Sequence, residues 1–406
     1  MDTHGESDAL SDVVSRQYER WVYPEPIEDL PGWLTSNWQW FDPSHSFRVL
    51  WPERTFRPDL DILVAGCGTN QAAVLAFTNP DARVIGIDVS DASLDHHRHL
   101  ADKYRLGNLE LHRLPIEQVG TLDRTFDLIV TTGVLHHLAD PAAGMRALGQ
   151  CLRSDAVLAV MLYATYGRMG VEMMQSVFRD FGLQQDARSV GLVREAIACL
   201  GPEHPLQSYL AIAPDLTDDA GIVDTFLHGR ERAYTIDGCR QLVADAGLAF
   251  QDLFLRAPYY APARTSNAFL ASISELPREE QWSVMERVNP RNACHFFMAR
   301  RGDQPVQEYI VDLAIPSALE YVPSFRYRCG IDDGHVVRSD WRLPLDSWQT
   351  AVARQIDGTR SIRQLAAAGS GVHVEEPERQ ALELVRSLWQ LDFVAVSGPG
   401  LAAARP

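Results

Sequence analysis

Asp61-Ile-Leu-Val-Ala-Gly66-Cys67-Gly68-Thr69-Asn70-Gln71 is a short apolar run that empties into a Gly-x-Gly turn and then into residues of helical spacing. That order reads as strand, tight turn and helix. Glycine is needed at such a turn because a Cβ would block close approach of a ligand to the backbone. The helix N-terminus beyond presents free N–H groups. A polar ligand is therefore expected across Gly66–Gly68, contacted by Cys67, Asn70 and Gln71. The dinucleotide fingerprint Gly-x-Gly-x-x-Gly is incomplete, because Gln71 occupies its third glycine position, and this disfavours a nicotinamide oxidoreductase.

Downstream, short β-branched runs alternate with helical segments, the pattern of a parallel sheet built from βα units. Strands are expected at 61–65, 83–88, 109–112, 126–130 and 156–162, with helices at 70–77, 92–105 and 141–152 between them. Two final strands at 248–255 and 295–300 bring the sheet to about seven. From 163 to about 232 the pattern is helical and broken by Gly201-Pro202 and Ala213-Pro214, which reads as a cap. The fold class is α/β: a Rossmann-like, mostly parallel seven-stranded sheet with helices on both faces. The expected organisation is an N-terminal segment or lid over 1–54 and a core over 55–301 with a cap insertion at 165–233. A small, mostly helical, winged-helix-like domain is expected over 305–397, with helices at 345–356, 362–368 and 377–391. The closing 392–396 reads as a strand or wing, and the last residues, 398–406, as frayed.

Composition narrows the chemistry. Apolar residues make up 46% and charged residues 22% of 406, and no run approaches the ~18 apolar residues of a membrane span. The net charge is −17, from 37 basic and 54 acidic side chains, which opposes diffuse binding to nucleic-acid phosphates. Lys103 is the one lysine, so a Walker phosphate loop or a Schiff-base site would have to use it, and its polar helix end fits neither. Six cysteines at 67, 151, 199, 239, 294 and 329 lack zinc spacing. With no signal-peptide pattern in Met1–Asp8, a cytoplasmic protein with reduced thiols is expected. Asp95-His96-His97-Arg98-His99 reads as solvated helix surface, and no metal is expected.

Two further elements complete the candidate site. Asp88 ends the second strand twenty-two residues past Gly66, near the ~20 expected of a carboxylate gripping ribose hydroxyls. Phe126-Asp127-Leu-Ile-Val-Thr-Thr132-Gly133-Val134-Leu-His136-His137 is a strand ending in a polar loop at the carboxyl edge of the sheet, where open parallel sheets bind ligands.

Gly66-Cys-Gly68, Asp88, the Phe126-Asp127 strand with Val134-Leu-His-His137 and the apolar fifth strand, in this order, resemble the class I S-adenosylmethionine-dependent methyltransferases. The likeness is greatest to the broad small-molecule group that includes quinone-biosynthesis enzymes. The resemblance implies that Gly66 and Gly68 pass under the methionine end of the cofactor S-adenosylmethionine and that Asp88 holds its ribose. It further implies that Ile116 lies against adenine, where Pro115 replaces the usual aspartate, and that Thr132 and Gly133 line the methionine side. His136 or His137 is a candidate general base, with Tyr163, Tyr166, His228, Tyr234, Tyr259 and Tyr260 as other polar candidates. Gln17-Tyr18-Glu-Arg-Trp21-Val-Tyr23-Pro24 resembles segments that close over the cofactor in relatives.

The implied activity is methyl transfer to an O, N or C atom of a small or medium organic acceptor. The alternatives are a sensor that binds the cofactor without turnover, or a peptide or protein methyltransferase recruiting substrate through the C-terminal domain. That domain weakly resembles winged-helix peptide-binding modules, so the expected partners are a small-molecule or peptide acceptor and a further protein or a second copy. Neither nucleic acid nor membrane is expected.

Overall fold

A computed structural model describes residues 10, 12–262, 266–368, 374–399 and 401. The reading of Met1–Asp8, and that of 400 and 402–406 in the tail, lie outside the described residues. The chain divides into two compact units: 1–40, 59–250 and 286–302 form the first, and 41–58, 251–285 and 303–406 the second.

The first unit is built on β1 (Asp61–Ala65), β2 (Arg83–Asp88), β3 (Leu109–Arg113), β4 (Phe126–Thr132) and β5 (Leu152–Tyr163). With β6 (Leu248–Leu253) and β7 (Cys294–Arg301) these form one seven-stranded sheet in the order β3-β2-β1-β4-β5-β7-β6. Strands β1 to β5 pair in parallel, and β7 runs antiparallel to β5. The chain runs outward from β1 to β3 and then returns to β4, so the order reverses between β1 and β4. Open α/β sheets bind ligands at the carboxyl ends of strands flanking such a switch point.

The central strands are buried along almost their whole length, as continuous apolar runs require when helices cover both faces. Opposite the ligand edge, the amino ends are tied by charge. Asp61 pairs with Arg83 at 2.6 Å, and Arg153 bridges Asp61 and the buried Asp127, the latter at 2.6 Å. The Asp61 amide also donates to Asp127 at 2.9 Å, linking β1 to β4.

The cap is helical as expected, with helices Met169–Asp180, Ala187–Cys199, Leu206–Leu210 and Asp219–Phe226. Val171, Met174, Phe178, Val193, Ile222 and Phe226 share its own apolar core. Helix Ile236–Asp245 then leads back toward the sheet and stops at Gly247, whose φ of 73° is the left-handed conformation that a helix end favours in glycine.

The second unit contains the three expected C-terminal helices, at Ser347–Ala353, Ile362–Ala368 and Pro377–Gln390. It also holds more strand than its sequence suggested. β8 (Val322–Phe325) pairs antiparallel with β12 (Val394–Ser397). β9 (Gly330–Asp332), β10 (His335–Arg338) and β11 (Trp341–Pro344) make a three-stranded antiparallel sheet. The signal for the first hairpin is Asp333-Gly334, with φ of 40° and 71°, a left-handed pair that suits a two-residue turn.

Candidate functional site

The Gly-x-Gly turn is held by the neighbouring strand: the amides of Gly66 and Cys67 both donate to the Ile87 carbonyl, at 2.8 and 3.0 Å. Gly66 and Gly68 take φ of 73° and 54°. A Cβ at Gly66 would meet Val134 Cγ2 at 2.4 Å, and one at Gly68 would meet Pro24 Cδ at 3.1 Å. The turn is thus closed to side chains from above by β4's loop and by the N-terminal segment.

Asp88, at the end of β2, turns its carboxylate back over this turn. Oδ2 accepts the Gly68 amide at 2.9 Å and Oδ1 the Ser90 amide at 3.0 Å. Burial pushes its pKa up to about 6, against the opposing pull of those backbone donors. The carboxylate keeps lone pairs for further donors, and it faces a cavity of about 670 Å³ in the first unit.

That cavity is lined by Gly66, Gly68, Asp88, Ile116, Thr132, Gly133 and His137 of the residues anticipated for the site. Cys67, Asn70, Gln71 and His136 are held beside it instead. Cys67 is buried, with Sγ toward the position a Gly86 Cβ would take. Gln71 Nε2 donates to Thr132 Oγ1 at 3.1 Å, bracing the β4 loop. Asn70 accepts the Ile27 amide and donates to the Glu25 carbonyl, both at 2.9 Å. Together with Thr69 Oγ1, which donates to the Pro24 carbonyl at 2.8 Å, it straps residues 24–27 over the site. The same strap takes a bond from Lys103 Nζ to the Glu28 carbonyl at 2.5 Å.

At the other end of the cavity stands a cluster of rings around Asp224. Tyr18 and Tyr163 hydroxyls donate to its two oxygens at 2.8 and 3.3 Å. His137 stacks on His228 with centroids 3.8 Å apart. His136 stacks on Tyr163 at 3.9 Å, and the Arg168 guanidinium lies 3.7 Å over the centroid of that tyrosine ring. Arg168 is buried against Glu231, through contacts of 3.0 and 3.1 Å, and donates to Tyr209 Oη at 2.9 Å. The guanidinium therefore fixes two tyrosines that line the cavity.

Hydrogen bonding assigns the histidine tautomers. His137 Nδ1 faces the Arg230 carbonyl at 2.9 Å, so it carries the proton, and Nε2 is left a lone pair, buried and without a partner. Burial, with Arg168 and Arg230 adding to it, pushes the His137 pKa down to about 3. His228 Nδ1 accepts the Arg230 amide at 3.0 Å, which places its proton on Nε2, 3.4 Å from Tyr18 Oη. His137, Asp224 and His228 lie close enough to gather round a cation. Holding one would require His228 to surrender the Nε2 proton that this pattern assigns.

Asp224, Asp12, Tyr209 and the facing pair Trp40 and Phe296, with centroids 4.5 Å apart, also line the cavity and were not anticipated. They come from five separate stretches and form no local motif. Tyr166, Tyr234, Tyr259 and Tyr260 are absent from the lining. His97, read as surface, is fully buried on helix Asp91–Tyr104, with Nδ1 3.3 Å from the Ala73 amide. The neighbouring Asp95–Arg98 pair is exposed, as expected.

Residues fit the cofactor that the resemblance implies. The glycine cradle excludes side chains, a carboxylate with free lone pairs borders it, and apolar Leu114, Pro115 and Ile116 flank that carboxylate.

Comparison with known proteins agrees. Residues 63–158 match a family model described as a methyltransferase domain. An uncharacterized protein of Synechococcus is 28% identical over 319 residues, 74% of each chain. A malonyl-[acyl-carrier protein] O-methyltransferase of Acetivibrio thermocellus is 33% identical over 111 residues, 27% of this chain and 37% of that one. The solved structure of PKMT2 from Rickettsia typhi in complex with AdoHcy shares the fold, with a TM-score of 0.62 at 14% identity over 88% of this chain and 75% of that one.

Proposed function

We propose, from the methyltransferase-domain match over residues 63–158, that the chain is a class I S-adenosylmethionine-dependent methyltransferase that methylates an O, N or C atom of an organic acceptor enclosed in the 670 Å³ cavity. The observation that carries this reading is that the glycine–Asp88 cradle and the His137 ring line the same cavity. S-adenosylmethionine supplies an electrophilic methyl group on a sulfonium, an excellent leaving group, so positioning of the acceptor does most of the work.

Asp88 would hold the cofactor's ribose diol, and Gly66 and Gly68 would allow its close approach along the backbone. His137 Nε2 accepts the hydrogen of an acceptor O–H or N–H and points its heavy atom into the cavity. A pKa near 3 keeps the ring neutral, so it suits accepting and orienting that hydrogen bond rather than carrying the proton away. His136 acts as a positioning residue through its stack on Tyr163. The apolar walls at Trp40, Phe296 and Met161 suit an acceptor with a flat or aliphatic body. That all six cysteines are free supports a reducing compartment such as the cytoplasm.

Calorimetric titration with S-adenosylmethionine and S-adenosylhomocysteine tests the cofactor half. Asp88→Ala is expected to weaken binding about ten-fold or more while the fold survives, since each charged hydrogen bond lost is worth about 1.5–3 kcal/mol. Unchanged affinity would sink the assignment of Asp88. For the acceptor half, His137→Gln is expected to cut turnover on an identified acceptor by about 10²-fold with cofactor affinity intact. Turnover equal to wild type would remove His137 from the chemistry. Cofactor binding with no turnover across a broad acceptor panel would favour a sensor.

A further inference from the structure

The second unit contains a cavity of its own, about 220 Å³, that the methyltransferase reading does not use. Two of the residues that line it each carry a buried donor without a partner: Arg48, at Nη1, and Ser397, at Oγ. Ser397 is 1% exposed, at the end of β12. Arg48 belongs to helix Pro43–Leu50 and makes one hydrogen bond, from Nη2 to the Gly358 carbonyl at 3.2 Å.

Among the described residues no carboxylate pairs with Arg48; Asp357 also lines the cavity, but its Oδ1 accepts the Thr359 and Arg360 amides, at 2.9 and 3.2 Å. Desolvation alone acts on the Arg48 guanidinium and pulls its pKa below the ordinary value, with no carboxylate opposing. The neighbouring cation Arg326 is already committed to Asp392 at 2.6 Å. A buried donor left unmade costs about 1–3 kcal/mol, and more when charged, so two in one cavity mark the place of an absent acceptor. A water would serve the serine hydroxyl, but the guanidinium asks for negative charge.

The backbone is shaped for this arrangement. Gly358 takes φ of 77°, and a Cβ there would meet Arg48 Nη1 at 2.8 Å. Glycine at 358 thus leaves the space that Arg48 Nη1 occupies. Phe47, Phe56 and Leu401 supply apolar wall.

We propose that this cavity is a binding site for an oxyanion carried on a compact apolar stem, a carboxylate or a phosphate monoester, with Arg48 and Ser397 holding the head group. The site is separate from the methyl-transfer reading, so failure of either leaves the other standing.

Benzoate, phenyl phosphate and inorganic phosphate, each titrated calorimetrically into the full chain, test it. One of the two aromatic probes is expected to bind with 1:1 stoichiometry, and which one does so separates a carboxylate head from a phosphate. Binding of inorganic phosphate with equal affinity would overturn the role given to the stem. Arg48→Met is expected to weaken binding at least ten-fold, and Ser397→Ala several-fold. Ser397→Ala keeps the guanidinium and serves if Arg48→Met does not fold. Gly358→Ala should weaken binding with both donors still present. The proposal fails if none of the three probes binds, or if the variants bind as wild type does.

Discussion

Asp88 is pulled two ways, and the balance gives cofactor affinity a pH dependence. Burial raises its pKa to about 6, so in the free protein the carboxyl is protonated below that value and ionises only as pH rises through it. A diol donates hydrogen bonds only to the ionised form with full strength. Binding therefore strengthens as pH rises through about 6 and weakens below it, with Kd rising about ten-fold per unit on the acid side. Calorimetry with S-adenosylhomocysteine from pH 5 to 8 reads this directly, and Asp88→Asn should flatten the profile. A flat wild-type profile would remove the ionised carboxylate from the binding account. At this scale, what was legible in the sequence was what is local. Gly66, Gly68 and Asp88 announce themselves by spacing, since strand, turn and strand fix their separation. Asp224 and Trp40 carried no such signal, because only folding brings them to His137 and Phe296.

Among elements, the strap over residues 24–27 is the part of the site with a mechanical consequence. Asn70 was expected to touch the cofactor, but its amide spends both hydrogen bonds on Ile27 and Glu25. Tyr23 and Pro24, where that strap begins, line the cavity. Asn70→Ala removes two hydrogen bonds, roughly 1–3 kcal/mol together. Its expected effect is about ten-fold faster release of S-adenosylhomocysteine in stopped-flow displacement, with Asp88 chemistry untouched. Release at the wild-type rate would show that the strap does not gate exchange. The strands of the first unit were readable because continuous apolar runs are buried on both faces. In the second, β12 overlaps the strand or wing read at 392–396, but β9, β10 and β11 have three or four residues each, mostly half-exposed, and leave no apolar run or clean alternation.

Across the whole molecule, two compact units divide a chain of net charge −17 in which arginine supplies nearly every cation. The sequence marked a change of pattern near residue 301 and an accessory segment beyond it. It could not show that 41–58 and 251–285 cluster with that segment, because such membership depends on contacts between stretches far apart in the chain. Buried cations recur in both units, Arg168 against Glu231 in the first and Arg256 against Asp252 in the second. Arginine's delocalised, weakly hydrated charge tolerates such positions better than an ammonium does. The scarcity of lysine also shapes how the chain can be assayed. Lys103 is its one side-chain amine, and that amine is already tied to the Glu28 carbonyl. In a mass or radiolabel assay with amine acceptors, any lysine self-methylation is therefore confined to a single residue. Lysine label found anywhere else belongs to the acceptor under test.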